Sequence, residues 1–78
     1  MWIRTDDAIC KADEFSRFYI ESMPNGYCGI LGKESDSISV VLGVYKDCKR
    51  GNKVLDNLYS ALKYGDRAFT IPKDDYVV

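Results

Sequence analysis

The stretch ISVVLGVYKDCKRGNKVLDNLYSALKYG, residues 38–65, decides the fold because its hydrophobic period changes once, at Lys46-Asp47. Ile38 to Tyr45 alternates as a strand does, and a period of two sets Ile38, Val40, Leu42 and Val44 on one face. Val41 and Tyr45 then point to the opposite face. From Cys48 to Tyr64 the spacing is helical: Cys48, Gly51, Leu55, Leu58 and Leu62 recur at steps of three and four, and Val54 and Ala61 widen the stripe. Asp47 stands where an N-cap belongs and Gly65 where a helix ends. Gly51 costs roughly 1 kcal/mol of helix propensity against alanine, which predicts a helix start pressed close to a strand.

Working outward, Glu34 to Ser37 is a turn, and Pro24-Asn25-Gly26 is a stronger one, since proline fixes φ and Asn-Gly accepts positive φ. Phe15 to Met23 and Tyr27 to Lys33 flank that turn, so Phe15 to Lys33 reads as a β-hairpin. Trp2 to Thr5 is a short β-prone run reversed at Asp6-Asp7, and Ala8 to Glu14 is an edge strand at most. Beyond Gly65, Ala68 to Ile71 supplies one last strand before Pro72 ends the ladder. The expectation is an α+β domain of residues 1–72 with a tail at 73–78. It is an antiparallel sheet of four to five strands with one helix on one face, in the order β-β-β-β-α-β.

Composition narrows the function. The 78 residues are 46% hydrophobic and 29% charged, the profile of a folding globular chain of one domain. Eleven basic and twelve acidic side chains leave a net charge of −1, too little for non-specific nucleic-acid binding. No apolar run approaches the roughly 20 residues of a membrane span. Cys10, Cys28 and Cys48 are odd in number and widely spaced, with no secretory signal ahead of them, and read as reduced thiols of a cytoplasmic protein. With no histidine and no cysteines at ligand spacing, neither a metal nor another cofactor is expected. A core this small needs support, and association between copies is the remaining source.

Met1-Trp2-Ile3-Arg4-Thr5, Leu42-Gly43-Val44-Tyr45, Val54-Leu55-Asp56 and Ile71-Pro72 are spread over most of the chain. In these pieces it resembles a group of small uncharacterised proteins of Firmicute bacteria and their phages that open Met-Trp-Ile-Arg-Thr. The resemblance implies a compact cytoplasmic αβ fold and a mobile-element origin, and no activity or site residue. That group carries an acidic residue and an alanine in the first helical turn, where this chain has Lys49 and Gly51.

Two features carry chemistry. Lys46, Lys49, Arg50 and Lys53 gather around Asp47 at a helix start, where the dipole disfavours cations, and so point to a small anionic, nucleotide-like ligand or an acidic partner. The bland alternative is a solvated helix end. Trp2, Tyr19, Val41 and Tyr45 are expected on the sheet face away from the helix, a greasy surface that marks an interface. Single exposed tyrosines in strands are otherwise ordinary. Without histidine, no Ser-His or Cys-His pair exists, and Cys48 is the best lone nucleophile, with its stripe position arguing for burial. The functional expectation is a non-enzymatic, self-associating binding protein, phage-encoded on the resemblance. It would capture a host protein stoichiometrically, in anti-defence, or a small anion. The alternative is a monomeric regulatory or accessory subunit that docks through its sheet face or edge.

Overall fold

The computed structural model describes residues 1–74, so the expected tail is seen only at Lys73 and Asp74, and the rest of it lies outside the described residues. In chain order the strands are β1 (Trp2–Arg4), β2 (Ile9–Lys11), β3 (Arg17–Ser22), β4 (Cys28–Ser35), β5 (Ile38–Tyr45) and β6 (Ala68–Thr70), with the helix α1 (Cys48–Lys63) between β5 and β6. The α+β class holds, but five strands and not the expected four precede the helix, and the strands divide into two three-stranded sheets, β2-β1-β6 and β3-β4-β5. A single antiparallel sheet is therefore corrected on two counts, because β6 also runs parallel to β1. The chain needs α1 as the crossover that a parallel pairing demands. Once β6 has returned beside β1, the meander β3-β4-β5 is left as a layer of its own.

The local signals are met. Asn25 and Gly26 take φ of 64° and 80° between β3 and β4, and Gly65 takes 72° just past the helix. Asp47 caps α1, its Oδ1 accepting from the Arg50 amide at 2.9 Å. The close approach foreseen at Gly51 is present: a Cβ there would lie 3.3 Å from Cys28 Sγ and 3.7 Å from Ile20 Cγ2. The helix buries Gly51, Val54, Leu58 and Ala61, so its inner face is turned from the expected stripe. Leu55 and the exposed Leu62 line a shoulder groove of about 340 Å³ with Phe18 and Tyr59 instead. Small side chains at 51 and 61 let the backbone approach, and the larger leucines fill the flanks.

The core is closed by the inner faces of both sheets and the helix, with Ile3, Phe15, Ile30, Leu42, Tyr45, Val54, Leu58 and Ile71 in one cluster. Its decisive detail lies in β5. Ile30 pairs with Gly43 and Leu31 with Val41, which leaves Leu42 as an extra residue without a partner. Such a bulge shifts the alternation by one. Leu42 and Val40 face inward as expected, but Val44 turns out, 46% exposed, and Tyr45 turns in, 1% exposed. The expected outward position of Tyr45 is thus corrected. Its hydroxyl donates to the Pro72 carbonyl at 2.6 Å and ties the segment after β6 to the core.

Burial, with smaller effects from Asp74 and Asp6, pushes the Tyr45 phenol up to about 12, and burial followed by a hydrogen bond with Cys48 pushes the Cys28 thiol up to about 12. Both groups stay protonated in the fold while the unfolded chain loses its protons earlier. Stability is therefore full below their ordinary values of 10 and 9 and falls as pH rises toward about 12. Replacing Tyr45 by phenylalanine is expected to cost about 1–2 kcal/mol at neutral pH through the unpaired carbonyl, and to make the alkaline decline shallower. Urea unfolding from pH 7 to pH values above the ordinary tyrosine range measures both effects.

Candidate interaction surface

The pairing of β3-β4-β5 builds the outer face of that sheet row by row. Arg17, Lys33 and Ser39 form one row; Tyr19, Leu31 and Val41 the next; Glu21, Gly29 and Val44 the third. The middle row is apolar, the first is cationic, and the third carries a carboxylate. Arg17 stacks on the Tyr19 ring with its guanidinium carbon 4.6 Å from the centroid, and the Tyr19 hydroxyl donates to Ser39 Oγ at 2.8 Å. These contacts hold the tyrosine flat on the sheet. Gly29 makes room for Met23: a Cβ at Gly29 would meet the Met23 methyl at 2.5 Å, so the thioether lies across the third row. Val41 and Val44 are about half exposed, and Leu31 is buried between its neighbours.

Tyr19 and Val41 therefore share one outward face, as the alternation predicts. Trp2 does not join them. It belongs to the other sheet, because the division into two layers separates the first strand from the hairpin. There Trp2 is 50% exposed beside the exposed Ile9, with Arg4, Lys11, Ala68 and Thr70 at the other outward positions and the Lys11 ammonium 5.4 Å from the indole centroid. No carboxylate occupies a strand position on that face. Met23, Leu31 and Val44 escaped sequence reading. Leu31 carried a usable signal, since it lies two residues from Gly29 along the second strand of the hairpin and opposite Tyr19. Val44 carried none, because only the bulge turns it outward.

The basic helix entrance is brought together less than its sequence implies. Lys46, Lys49 and Lys53 are exposed. Arg50 faces the chain's own acids: Nη1 lies 3.1 Å from Asp74 Oδ1 and 3.5 Å from the Asp74 carbonyl, and Nε lies 4.0 Å from Asp47 Oδ2. Asp47 also occupies the Arg50 amide that an external anion would need. Part of the compensation sought from a ligand is therefore internal.

The thiols are the second departure from the sequence reading. Cys28 opens β4 opposite Ser22, and Cys48 opens α1 with its Sγ 3.8 Å from Ser22 Oγ. Ser22 and Gly51 thus bring both thiols to one junction of strand and helix, since a Cβ at Gly51 would lie 3.3 Å from Cys28 Sγ. Cys10 lies in the other sheet, its thiol raised by burial and by Glu14, Glu34 and Asp7. Among the described residues no three metal-ligating side chains cluster.

The described residues define a small α+β domain: two three-stranded sheets and one α-helix around one core, with a charge-graded apolar sheet face. Compared with known proteins, the chain matches no family model, no curated protein and no solved structure. Among the described residues no helix is long and apolar enough to cross a membrane. Replacing Asp47 by alanine removes the cap and an acid that faces Arg50, and is expected to lower stability by about 1 kcal/mol in urea unfolding.

Proposed function

We propose that this is a non-enzymatic binding protein that pairs with a second copy through the outer face of β3-β4-β5 and captures its partner stoichiometrically. One observation carries the reading: the face is self-complementary in charge. A two-fold axis along the Tyr19-Leu31-Val41 row lays that row on its own copy and sets Arg17 and Lys33 of one molecule over Glu21 of the other. The half-exposed Val41 and Val44 are covered in the same step. Three strands about 4.8 Å apart and about 20 Å long offer far less than the roughly 800 Å² per partner of a standard interface, so the dimer is weak. Its dissociation constant is expected in the micromolar range or above.

Capture is assigned to the Trp2 face. Arg4 and Lys11 there would meet like charges from a second copy, so the fitting occupant is a protein surface that presents carboxylates beside apolar groups. A nucleotide-like anion at the helix entrance is the weaker reading, because Asp47 and Asp74 already face Arg50. The absence of histidine from the sequence supports action by occupancy and not by proton transfer.

Sedimentation equilibrium across micromolar to millimolar protein, read with the fluorescence of Trp2, the sole tryptophan, tests the pairing. The expected result is reversible dimerisation with unchanged emission. Glu21→Arg should weaken the dimer about tenfold or more, and adding Arg17→Glu and Lys33→Glu should restore it. A monomer at every concentration returns the protein to the accessory-subunit alternative; a blue shift on association moves the contact to the Trp2 face. Titration with an acidic, leucine-containing peptide should shift Trp2 emission, and a flat titration rejects that face as the capture surface.

A further inference from the structure

Independently of the pairing, we propose that Cys28 and Cys48 form a reversible oxidation site that closes to an intramolecular disulfide on exposure to a small-molecule disulfide of the glutathione class. The fold has built a dithiol from residues that stand far apart in sequence. Ser22 fixes the geometry: it pairs with Cys28 across β3 and β4 and touches Cys48 Sγ at 3.8 Å, so the helix start is seated over the strand start. Gly51 lets the first helical turn come down onto Cys28, whose Sγ is 3.3 Å from the position its Cβ would take. Both side chains are therefore held at the same junction, beside Ser22 and under the first turn of the helix, where closure joins neighbours in space.

The roles of the two thiols differ. Cys28 is fully buried, whereas Cys48 is partly exposed at the helix start. Cys48 as thiolate therefore attacks a sulfur of glutathione disulfide, forming a mixed disulfide and releasing one glutathione thiolate. Cys28 then gives up its proton and attacks the Cys48 sulfur, forming the internal bond and releasing the second glutathione thiolate. Both thiolates take up the protons lost by the protein. The protein loses two electrons and the glutathione disulfide gains them. Burial of Cys28, which holds it as a thiol, slows the second step. Intracellular disulfides of this kind are transient and redox-sensing, so the site is consistent with reduced thiols at rest. Closure ties the helix start to β4 across the whole β4-β5 hairpin and should stabilise the fold.

The test uses the full chain at graded ratios of oxidised to reduced glutathione, quenched in acid, alkylated and examined by intact and peptide mass spectrometry. The expected product is a monomer lighter by two hydrogens, with Cys28 and Cys48 linked and Cys10 alkylated. It should revert with dithiothreitol and melt several degrees higher than the reduced form. Cys10→Ser should close normally, while Cys48→Ser and Cys28→Ser should not. A stable glutathione adduct on Cys48 without closure, linkage through Cys10, or no reaction in the folded wild type would each overturn the proposal. The wild-type result decides the matter even if a cysteine variant fails to fold.

Discussion

The unpaired Leu42 is the constraint on which the rest depends. One extra residue in β5 reverses the alternation beyond it, exchanging Val44 for Tyr45 in the core. A strand without the bulge would put a phenol in water and a valine inside, and the segment after β6 would lose its anchor at the Pro72 carbonyl. The exchange fills the end of the core with a large ring whose hydroxyl has a partner, which satisfies the requirement that buried polar groups be bonded. The same step sends Val44 to the outer face and enlarges its apolar part.

A core this small cannot cover every strand on both sides. The helix and the sheet β2-β1-β6 occupy the inner side of β3-β4-β5, and its outer side is left with Tyr19, Met23, Leu31, Val41 and Val44. Cations gather at one end of that face and a carboxylate at the other, so a symmetric copy meets opposite charge where it also meets apolar surface. The second sheet carries cations alone around Trp2 and Ile9, which disfavours the same arrangement there. Charge distribution, more than hydrophobicity, distinguishes the two faces.

Glycine and cysteine share one economy at the helix start. Gly51 gives up helix propensity to bring α1 within contact distance of β4, and the consequence is that Cys48 arrives beside Cys28. Neither thiol would be notable alone. Their juxtaposition follows from the seating of the helix on Ser22 and Cys28.

Much of this was legible in the residues themselves. Local signals act over a few positions, so the N-cap at Asp47, the turn at Asn25-Gly26, the C-terminal Gly65 and the boundaries of β5 and α1 could be read without a structure. The placement of Tyr19 and Val41 on one face followed from the same period of two. What the sequence could not convey was non-local: the parallel return of β6 beside β1, the separation of Trp2 from the hairpin, the bulge at Leu42 that buried Tyr45, and the gathering of Cys28 and Cys48 beside Ser22 and Gly51. Backbone propensity and side-chain period are properties of neighbours along the chain. Register, layer and contact are chosen by whichever packing closes the core, and that choice belongs to the whole molecule at once.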